Sequence, residues 1–136
     1  MANSKFAVDI SKWVDKANGN VRTATKKIIV DIAEKIKVAT PVKDGYARNN
    51  WMQSFDAPDL STTDVADKKP RMAAKMPEMP KGRDFSYYLT NSLPYIRRLE
   101  YGYSKQAPQG MVRLTVADYA GVALEAVEFT KRGGKV

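Results

Sequence analysis

Two glycines and a lysine in the segment LEYGYSKQAPQGMVR, residues 99–113, are the residues of this chain best suited to binding a phosphate. A P-loop has the spacing Gly-x-x-x-x-Gly-Lys-Ser/Thr, and it follows a strand and opens a helix. Here Gly102 and Gly110 are eight positions apart, Lys105 lies between them, and the residues before them have a helical pattern. The spacing therefore argues against a nucleotide site. It favours a structural loop in which Gly102 caps a helix, Pro108 stiffens the chain and Gly110 turns it into the next helix.

Acid–base and metal chemistry has few candidate residues, because the chain contains no histidine and no cysteine. Their absence excludes disulfides, a thiolate nucleophile and cysteine-ligated metals, and it removes the commonest general base. A two-metal carboxylate nuclease stays open as an alternative, but the carboxylates form no motif. We therefore predict a protein without catalytic residues, metal or cofactor, and not an enzyme. The scattered carboxylates are Asp44, Asp84, Glu100, Asp118 and Glu125.

The charge balance is strongly basic, with 23 Lys and Arg against 15 Asp and Glu, a net charge of +8. Such a balance favours anionic partners: nucleic acid, an anionic membrane surface or an acidic protein face. Tyrosines between residues 87 and 101 could stack on bases. We prefer the interpretation that they fill a core or an interface and that the arginines meet acidic side chains of a partner, because no nucleic-acid motif accompanies them. The candidate cations are Lys68, Lys69, Arg71, Arg97 and Arg98.

A long helix is predicted over residues 6–39, and it must help to position the candidate contact residues. Its apolar residues recur at steps of three and four, which predicts one buried stripe. Asn18-Gly19-Asn20 either breaks this helix or leaves it continuous, in which case one end finds its apolar partner on another chain. Thr40-Pro41 ends the helix. The predicted stripe contains Phe6, Ile10, Trp13, Val14, Ala17, Val21, Ala24, Ile28, Ile32, Ile36 and Ala39.

The rest of the chain predicts short strands, a short helix and a second long helix. We expect strands at residues 46–55 and 85–92, a helix from Pro94 to about Tyr101 and a last helix from Met111 to Thr130. Residues 56–84 contain four prolines and are predicted to be an extended loop or hairpin insert, with a strand at 65–76 only if something pairs with it. The last helix has an apolar stripe of Val112, Val116, Tyr119, Ala120, Ala123 and Val127.

These elements predict an α+β fold in which a small antiparallel sheet packs against a long N-terminal helix and a C-terminal helix. The 136 residues suit one domain, 1–136, and residues 131–136 suit a flexible basic tail. No stretch reaches the length of a membrane span and no secretory signal is visible, so we expect a soluble intracellular protein.

Two segments of the sequence resemble the tail-completion, or neck, family of long-tailed bacteriophages. These are TPVKDGYARNNW, residues 40–51, and NSLPYIRRLEYGYSKQAPQGMVR, residues 91–113. The family pairs a Thr-Pro-Val-x-x-Gly-x-x-x-x-x-Trp turn with a later Pro-Tyr…Leu-Glu-Tyr-Gly segment. With the two long helices in matching places, the resemblance covers most of the chain outside residues 56–84. One departure is Lys43-Asp44, where the family commonly has an acidic residue and then threonine.

The resemblance implies an α+β subunit of a hexameric ring, which joins or finishes the tail at the head–tail interface. The implied partners are copies of the chain itself, a tail-tube or terminator protein and a head connector or stopper protein, and DNA could pass through the ring. The implied location is the virion, with the host cytoplasm during assembly. A tail-terminator ring protein and a small basic DNA-binding protein are the alternatives.

Contacts with neighbouring subunits or partners are expected at the loop, at the basic positions and at one tryptophan. The sequence segments that carry the resemblance contain most of these residues, and none of them is expected to do catalysis. The expected contact residues are Trp51, Lys68, Lys69, Arg71, Arg97, Arg98, Glu100, Tyr101, Tyr103, Lys105 and Gln106.

Overall fold

A computed structural model describes residues 2–43, 45–65 and 76–136, with side chains described from Lys16 onward. The predicted α+β class is confirmed: a long N-terminal helix and C-terminal helices accompany a two-stranded antiparallel sheet. The elements in chain order are α1 (Ala2–Ala39), α2 (Tyr46–Asn49), β1 (Met52–Phe55), β2 (Tyr87–Thr90), α3 (Ile96–Glu100), α4 (Val112–Ala117) and α5 (Tyr119–Lys131).

Helix α1 is continuous over 38 residues, which at 1.5 Å per residue is about 57 Å. Gly19 does not interrupt it, and the Thr23 hydroxyl donates a hydrogen bond of 3.0 Å to the Gly19 carbonyl within the helix. The helix ends before Pro41, as the sequence predicts. A continuous helix of this length cannot turn back on itself, so its N-terminal part extends away from the contacts made by its C-terminal part.

The buried line of α1 differs from the predicted stripe. Ile29, Ala33 and Ile36 are buried, whereas Val21 of the predicted stripe is 67% exposed. Repeated steps of four advance by 400° rather than 360°, so a stripe built from them drifts around the helix by about 40° per step. The predicted stripe therefore leaves the body-facing side towards the N-terminus, and only its C-terminal members lie near the core.

Helix α5 packs antiparallel to α1. Lys35 lies beside Asp118, with Nζ to Oδ2 at 3.5 Å, and Lys27 lies over the Phe129 ring, 5.0 Å from its centroid. Val122 of α5 is buried on this side. The predicted last helix is divided at Asp118 into α4 and α5.

The face of α4 and α5 that is buried is not the predicted one. Thr115, Val122 and Ala126 face the core, while most of the predicted apolar stripe lies in solvent. Small side chains let two helices approach closely, and Ala126 is fully buried in this contact. The sequence pattern found an apolar stripe but could not tell which of two adjacent apolar faces would meet α1.

Strands β1 and β2 pair antiparallel, with Met52 opposite Thr90 and Phe55 opposite Tyr87. The Tyr87 hydroxyl donates a hydrogen bond of 2.7 Å to Gln53 Oε1, and burial raises the pKa of that hydroxyl. The prediction of a strand over all of residues 46–55 is wrong for its first half, which is α2. Gly45 takes a left-handed conformation at φ 91°, and its carbonyl accepts a hydrogen bond of 3.1 Å from the Asn49 N–H, which closes a helical turn over residues 46–49 in place of the expected strand.

The described parts of the insert, residues 56–65 and 76–84, contain no helix or strand and are tied to the body by polar contacts. The Arg22 guanidinium donates to the carbonyls of Met79 and Pro80, each at 2.6 Å. Asp56 pairs with Arg83 at 2.6 Å. The strand predicted at residues 65–76 falls almost wholly on residues outside the described ranges.

The predicted flexible tail, residues 131–136, begins in the structure as the end of α5. The Gly133 N–H donates to the Thr130 carbonyl at 3.0 Å and the Gly134 N–H to the Phe129 carbonyl at 2.9 Å. This pair of hydrogen bonds with Gly133 at φ 76° is a Schellman motif. Lys26 Nζ also donates to the Val136 carbonyl at 3.3 Å.

Two glycine-to-alanine substitutions, one in α1 and one in the insert, both place a methyl group in open space but should change stability in opposite directions. Gly19→Ala should raise the free energy of unfolding by about 0.5–1 kcal/mol, since alanine favours a helix interior. Gly82→Ala should lower it by about 1–2 kcal/mol, because φ is +70° there. Urea denaturation of the two variants and the wild type measures both. A destabilised Gly19→Ala variant would show that α1 is not helical through residue 19.

Candidate interface at the loop between α3 and α4

Helix α3 ends in a Schellman motif centred on Gly102, the cap expected from the sequence. The Tyr103 N–H donates to the Arg98 carbonyl at 3.0 Å and the Gly102 N–H to the Leu99 carbonyl at 3.2 Å. Gly102 has φ 86°, and a Cβ there would lie 2.6 Å from the Pro108 carbonyl oxygen. Glycine is therefore required both for the left-handed conformation and for the close approach of the loop.

The carboxylate of Glu100 holds the start of α4. Its Oε2 accepts hydrogen bonds of 2.8 Å from the N–H groups of both Met111 and Val112, and its Oε1 accepts one of 2.9 Å from the Arg113 N–H. Met111, the N-cap residue of α4, makes no side-chain cap of its own. The first N–H groups of a helix lack intrahelical partners, so a carboxylate from eleven residues earlier caps this helix instead.

Arg113 and Gly110 complete this arrangement. The Arg113 guanidinium bonds to Glu100 Oε1 at 3.2 Å and to the Glu100 carbonyl, and it lies over the Tyr101 ring, 5.0 Å from the centroid. Gly110 has φ 82°, and a Cβ there would lie 2.6 Å from Glu100 Oε1. The carboxylate therefore occupies the space that a side chain at position 110 would need.

The pKa of Glu100 is the net result of opposing effects. Partial burial alone raises the pKa, while hydrogen bonds from the N–H groups of Arg113, Val112 and Met111 and from the Arg113 guanidinium lower it further than burial raises it. The side chain is only 17% exposed. Glu100 was expected to contact a neighbouring subunit; its carboxylate is instead committed to bonds within the chain, because the α4 N-terminus needs an acceptor.

The middle of the loop is fastened to the turn that follows α1. Gln106 pairs with the backbone of Val42 in both directions: its Oε1 accepts from the Val42 N–H at 2.9 Å and its Nε2 donates to the Val42 carbonyl at 3.3 Å. Next to it, Ala107 is buried in a core cluster with Ile36, Trp51 and Met111. Gln106 remains exposed, but its amide has an internal structural role.

Trp51, expected at an interface, lies in this core cluster. Only 9% of the residue is exposed, and its indole N–H donates to the Thr40 hydroxyl at 2.9 Å. That hydroxyl in turn donates to the Ile36 carbonyl at 2.7 Å. Trp51 therefore packs the turn against α1 within one copy, since its apolar ring is removed from water by the loop.

The remaining expected contact residues on the loop are exposed to solvent. Tyr101 is 69% exposed and Tyr103 is 77% exposed, and Arg97, Arg98 and Lys105 are exposed as well. We call these five residues the loop surface. A groove of about 550 Å³ lies between the loop and the turn, and Tyr103 forms part of its lining together with Val42, Lys43, Tyr95, Leu99 and Gln106.

The composition of the loop surface suits binding to another protein. Tyrosine and arginine supply large contact areas with polar ends, and both are enriched where proteins bind each other. The loop is held by the Glu100 cap, the two glycine turns and the Gln106–Val42 pair, so little order has to be gained on binding.

The remaining expected contact residues and one candidate carboxylate cannot be placed relative to this loop. Lys68, Lys69 and Arg71 lie outside the described residues, as does Asp44. Within the described ranges no group of three or more acidic residues could hold a metal ion. No helix in those ranges is both long enough and apolar enough to span a bilayer.

Sequence reasoning missed Arg113 and Val42, which fix the loop from either side. A signal for the first was present: the last helix begins at Met111-Val112, without Ser, Thr, Asp or Asn in capping position, so an acceptor had to come from elsewhere in the chain. No local pattern indicates the contact between Val42 and Gln106, which are 64 positions apart.

Comparison with known protein families, with curated proteins and with solved structures gives no match to this chain. The functional argument therefore depends on the geometry above and on the sequence resemblance.

Replacing Glu100 by glutamine should destabilise the fold by about 2 kcal/mol at neutral pH, because an amide has one acceptor oxygen where the carboxylate has two. Circular dichroism during urea denaturation measures this. Glu125→Gln is the matched control: its side chain is exposed on α5, so its effect should stay within about 0.5 kcal/mol.

The stability difference between wild type and Glu100→Gln is expected to depend on pH. The folded pKa of Glu100 is lowered from its usual 4.5, so the stabilisation is complete above pH 4.5 and is lost as pH falls through the folded pKa. The stability difference between wild type and Glu100→Gln should therefore shrink as the pH is lowered below 4.5. A difference that stays constant down to strongly acidic pH would contradict the capping role of the charged carboxylate.

Proposed function

We propose that this chain is a structural protein of a bacteriophage neck, which completes the tail and joins it to the head connector as one subunit of a ring. The observation that carries the proposal is that the two segments with the family resemblance, residues 40–51 and 91–113, pack together as one unit.

Several contacts join the two segments. The Asn91 amide donates to the Ala47 carbonyl at 2.9 Å, and Gln106 pairs with the Val42 backbone. Trp51 of the first segment packs with Ala107 and Met111 of the second. The tryptophan and the glycines of the two motifs thus hold one loop in a fixed shape and leave its tyrosines and cations outward.

A joint between assemblies works by binding on both of its sides and needs no turnover. The proposed partners are further copies of this chain, a tail-tube or terminator protein and a head connector or stopper protein. The loop surface supplies the contact, and its fixed backbone lowers the entropy lost on docking. On this proposal the protein is not an enzyme, uses no cofactor and acts in the virion after assembly in the host cytoplasm.

The net charge of +8 has two uses in such a ring. Exposed Arg97, Arg98 and Lys105 on the loop surface can meet acidic faces of partner proteins. Cations can also line a channel through which DNA passes, where contacts to phosphates are independent of sequence. The position of these three cations, two on α3 and one on the loop, near two exposed tyrosines, favours the protein partner.

Truncating both loop tyrosines, Tyr101→Ala with Tyr103→Ala, should abolish or strongly reduce head–tail joining while leaving the free energy of unfolding within about 1 kcal/mol of wild type. Joined virions are counted by electron microscopy after the variant is supplied to particles that lack this chain. Tyr88→Ala, a tyrosine of β2 that is 37% exposed, is the matched control and should restore joining. Full joining by the double variant would exclude the loop surface as the contact.

The DNA-binding alternative is tested by titrating duplex DNA at low and moderate salt. For a neck protein we expect weak binding, and no loss on replacing Arg97 and Arg98 by alanine. Nanomolar to micromolar affinity that falls steeply with salt, and falls again in the double variant, would favour a DNA-binding protein instead. Intact virions formed without this chain would overturn the neck proposal altogether.

A further inference from the structure

The outward side of α4 and α5 is an apolar face that the described part of the chain leaves in solvent. Its large side chains are between 37% and 66% exposed: Val112, Val116, Tyr119, Leu124 and Val127. Ala117 and Ala120 are exposed between them. We call these seven residues the α4–α5 face.

This face is wide and almost free of charge. At 100° per residue its members cover an arc of roughly 150°, and the charged residues within that arc are Arg113 and Lys131, one near each end. The exposed part of the five large side chains amounts to roughly 450 Å², within the range of the largest apolar patches on soluble monomers, which are often functional.

A second apolar line lies on the N-terminal half of α1. Helix α1 begins at Ala2, and residues at steps of three and four place Phe6, Ile10, Trp13, Ala17 and Val21 along one line. The described end of that line, Val21, is 67% exposed. We call these five positions the α1 stripe.

The α1 stripe does not continue the face by which α1 holds its own body. The buried line of Ile29, Ala33 and Ile36 is rotated from it by roughly 125° around the helix. A helix that merely overhangs its core would keep its apolar residues on the core side. The offset therefore points to a different partner for the N-terminal half.

The α1 stripe cannot reach the α4–α5 face of its own chain. Helix α5 runs antiparallel to α1 and its last turns lie beside Lys27, so residues 6–21 extend past the end of α5. Reaching back would require a break, and α1 is continuous through Gly19. Any pairing of these two apolar surfaces is therefore between copies.

The two surfaces match in length. Phe6 to Val21 and Val112 to Val127 each span 16 residues, or about 23 Å of helix. The α4–α5 face alone contributes roughly 450 Å² of apolar surface to such a contact before its polar rim is added, close to the about 500 Å² per partner of the smallest specific interfaces.

We propose that the α1 stripe of one copy packs on the α4–α5 face of the next copy, which builds on the ring of the proposed function and names its subunit contact. The α1 stripe and the α4–α5 face are different surfaces, so the contact between copies is head-to-tail. Repeating this contact closes a ring when the rotation between neighbouring copies permits. Helix-on-helix packing removes both apolar surfaces from water, and this is the main driving force for association.

The absence of cysteine allows a direct test by crosslinking. Single-cysteine variants Ala17→Cys and Ala120→Cys place one thiol near the middle of each surface, in a chain otherwise free of thiols. The two variants, one carrying a mass tag, are mixed at a concentration where sedimentation shows oligomers, and a short bis-maleimide is added. We expect a covalent dimer containing one chain of each kind. Leu60→Cys, on the insert and 69% exposed, replaces either variant as the control and should give at most a background yield.

A disrupting variant gives an independent measurement. Val116→Asp, on the exposed face, should convert oligomers to monomers in sedimentation while leaving the helical circular dichroism unchanged. Leu60→Asp introduces the same charge at an equally exposed apolar residue and should leave the oligomers intact.

The outcomes separate this inference from the proposed function. Oligomers that give Ala120→Cys homodimers but no mixed product would overturn the α1 contact in favour of α5 pairing, and the ring proposal would be judged by its own test. The proposed contact would also be overturned if the oligomers gave no crosslink through Ala17→Cys or Ala120→Cys and were unaffected by Val116→Asp. The ring proposal would again be judged by its own test. A chain that stays monomeric at every concentration and on tails would overturn both.

Discussion

The cap that Glu100 places on α4 is the interaction on which the candidate site depends. Three backbone N–H groups and the Arg113 guanidinium converge on one carboxylate, so the end of α3 and the start of α4 are fixed relative to each other. The eight residues between Tyr101 and Gly110 are thereby held as a shaped loop. Gly110 must lack a side chain because the carboxylate fills the space beside it. The two exposed tyrosines owe their fixed positions to this charge.

The core beneath the loop is small, and its size explains why the chain leaves so much apolar surface outside. Ile36, Trp51, Ala107 and Met111 join α1, the turn after it and the loop. Helices α1 and α5 meet through short side chains such as Ala33 and Ala126. A chain of 136 residues with a 38-residue helix cannot bury both sides of each helix by itself. The proposed contact between copies would cover the rest.

The sequence predicted the fold class and the type of most elements, because these depend on local signals. Pro41 ends α1, an aromatic-rich segment bounded by turn residues marks β2, and Gly102 caps α3 where a left-handed residue was expected. The wrong predictions of secondary structure and of buried faces concern segments whose local sequence fits two structures equally well. Residues 46–49 were expected to alternate between the two faces of a strand, but neither face is clearly apolar. After the left-handed Gly45 they form a helix instead. In the last helix the apolar residues outnumber those that one core face can take, so periodicity alone selected the wrong side.

The sequence indicated which segment holds the candidate contact residues. Only the tertiary structure showed which of those residues are exposed and which make contacts within the chain. Residue types and spacing alone excluded thiol and imidazole chemistry, made a phosphate loop improbable in residues 99–113, and pointed to Arg97, Arg98, Tyr101, Tyr103 and Lys105 as contacts. Packing decided which of the neighbouring candidates were internal: Trp51 went to the core, Glu100 to a helix end and Gln106 to the Val42 backbone. The reason is physical. Local sequence fixes backbone preference and chemical type, whereas the partner of a polar group and the covered face of an amphipathic helix depend on residues far away in the chain.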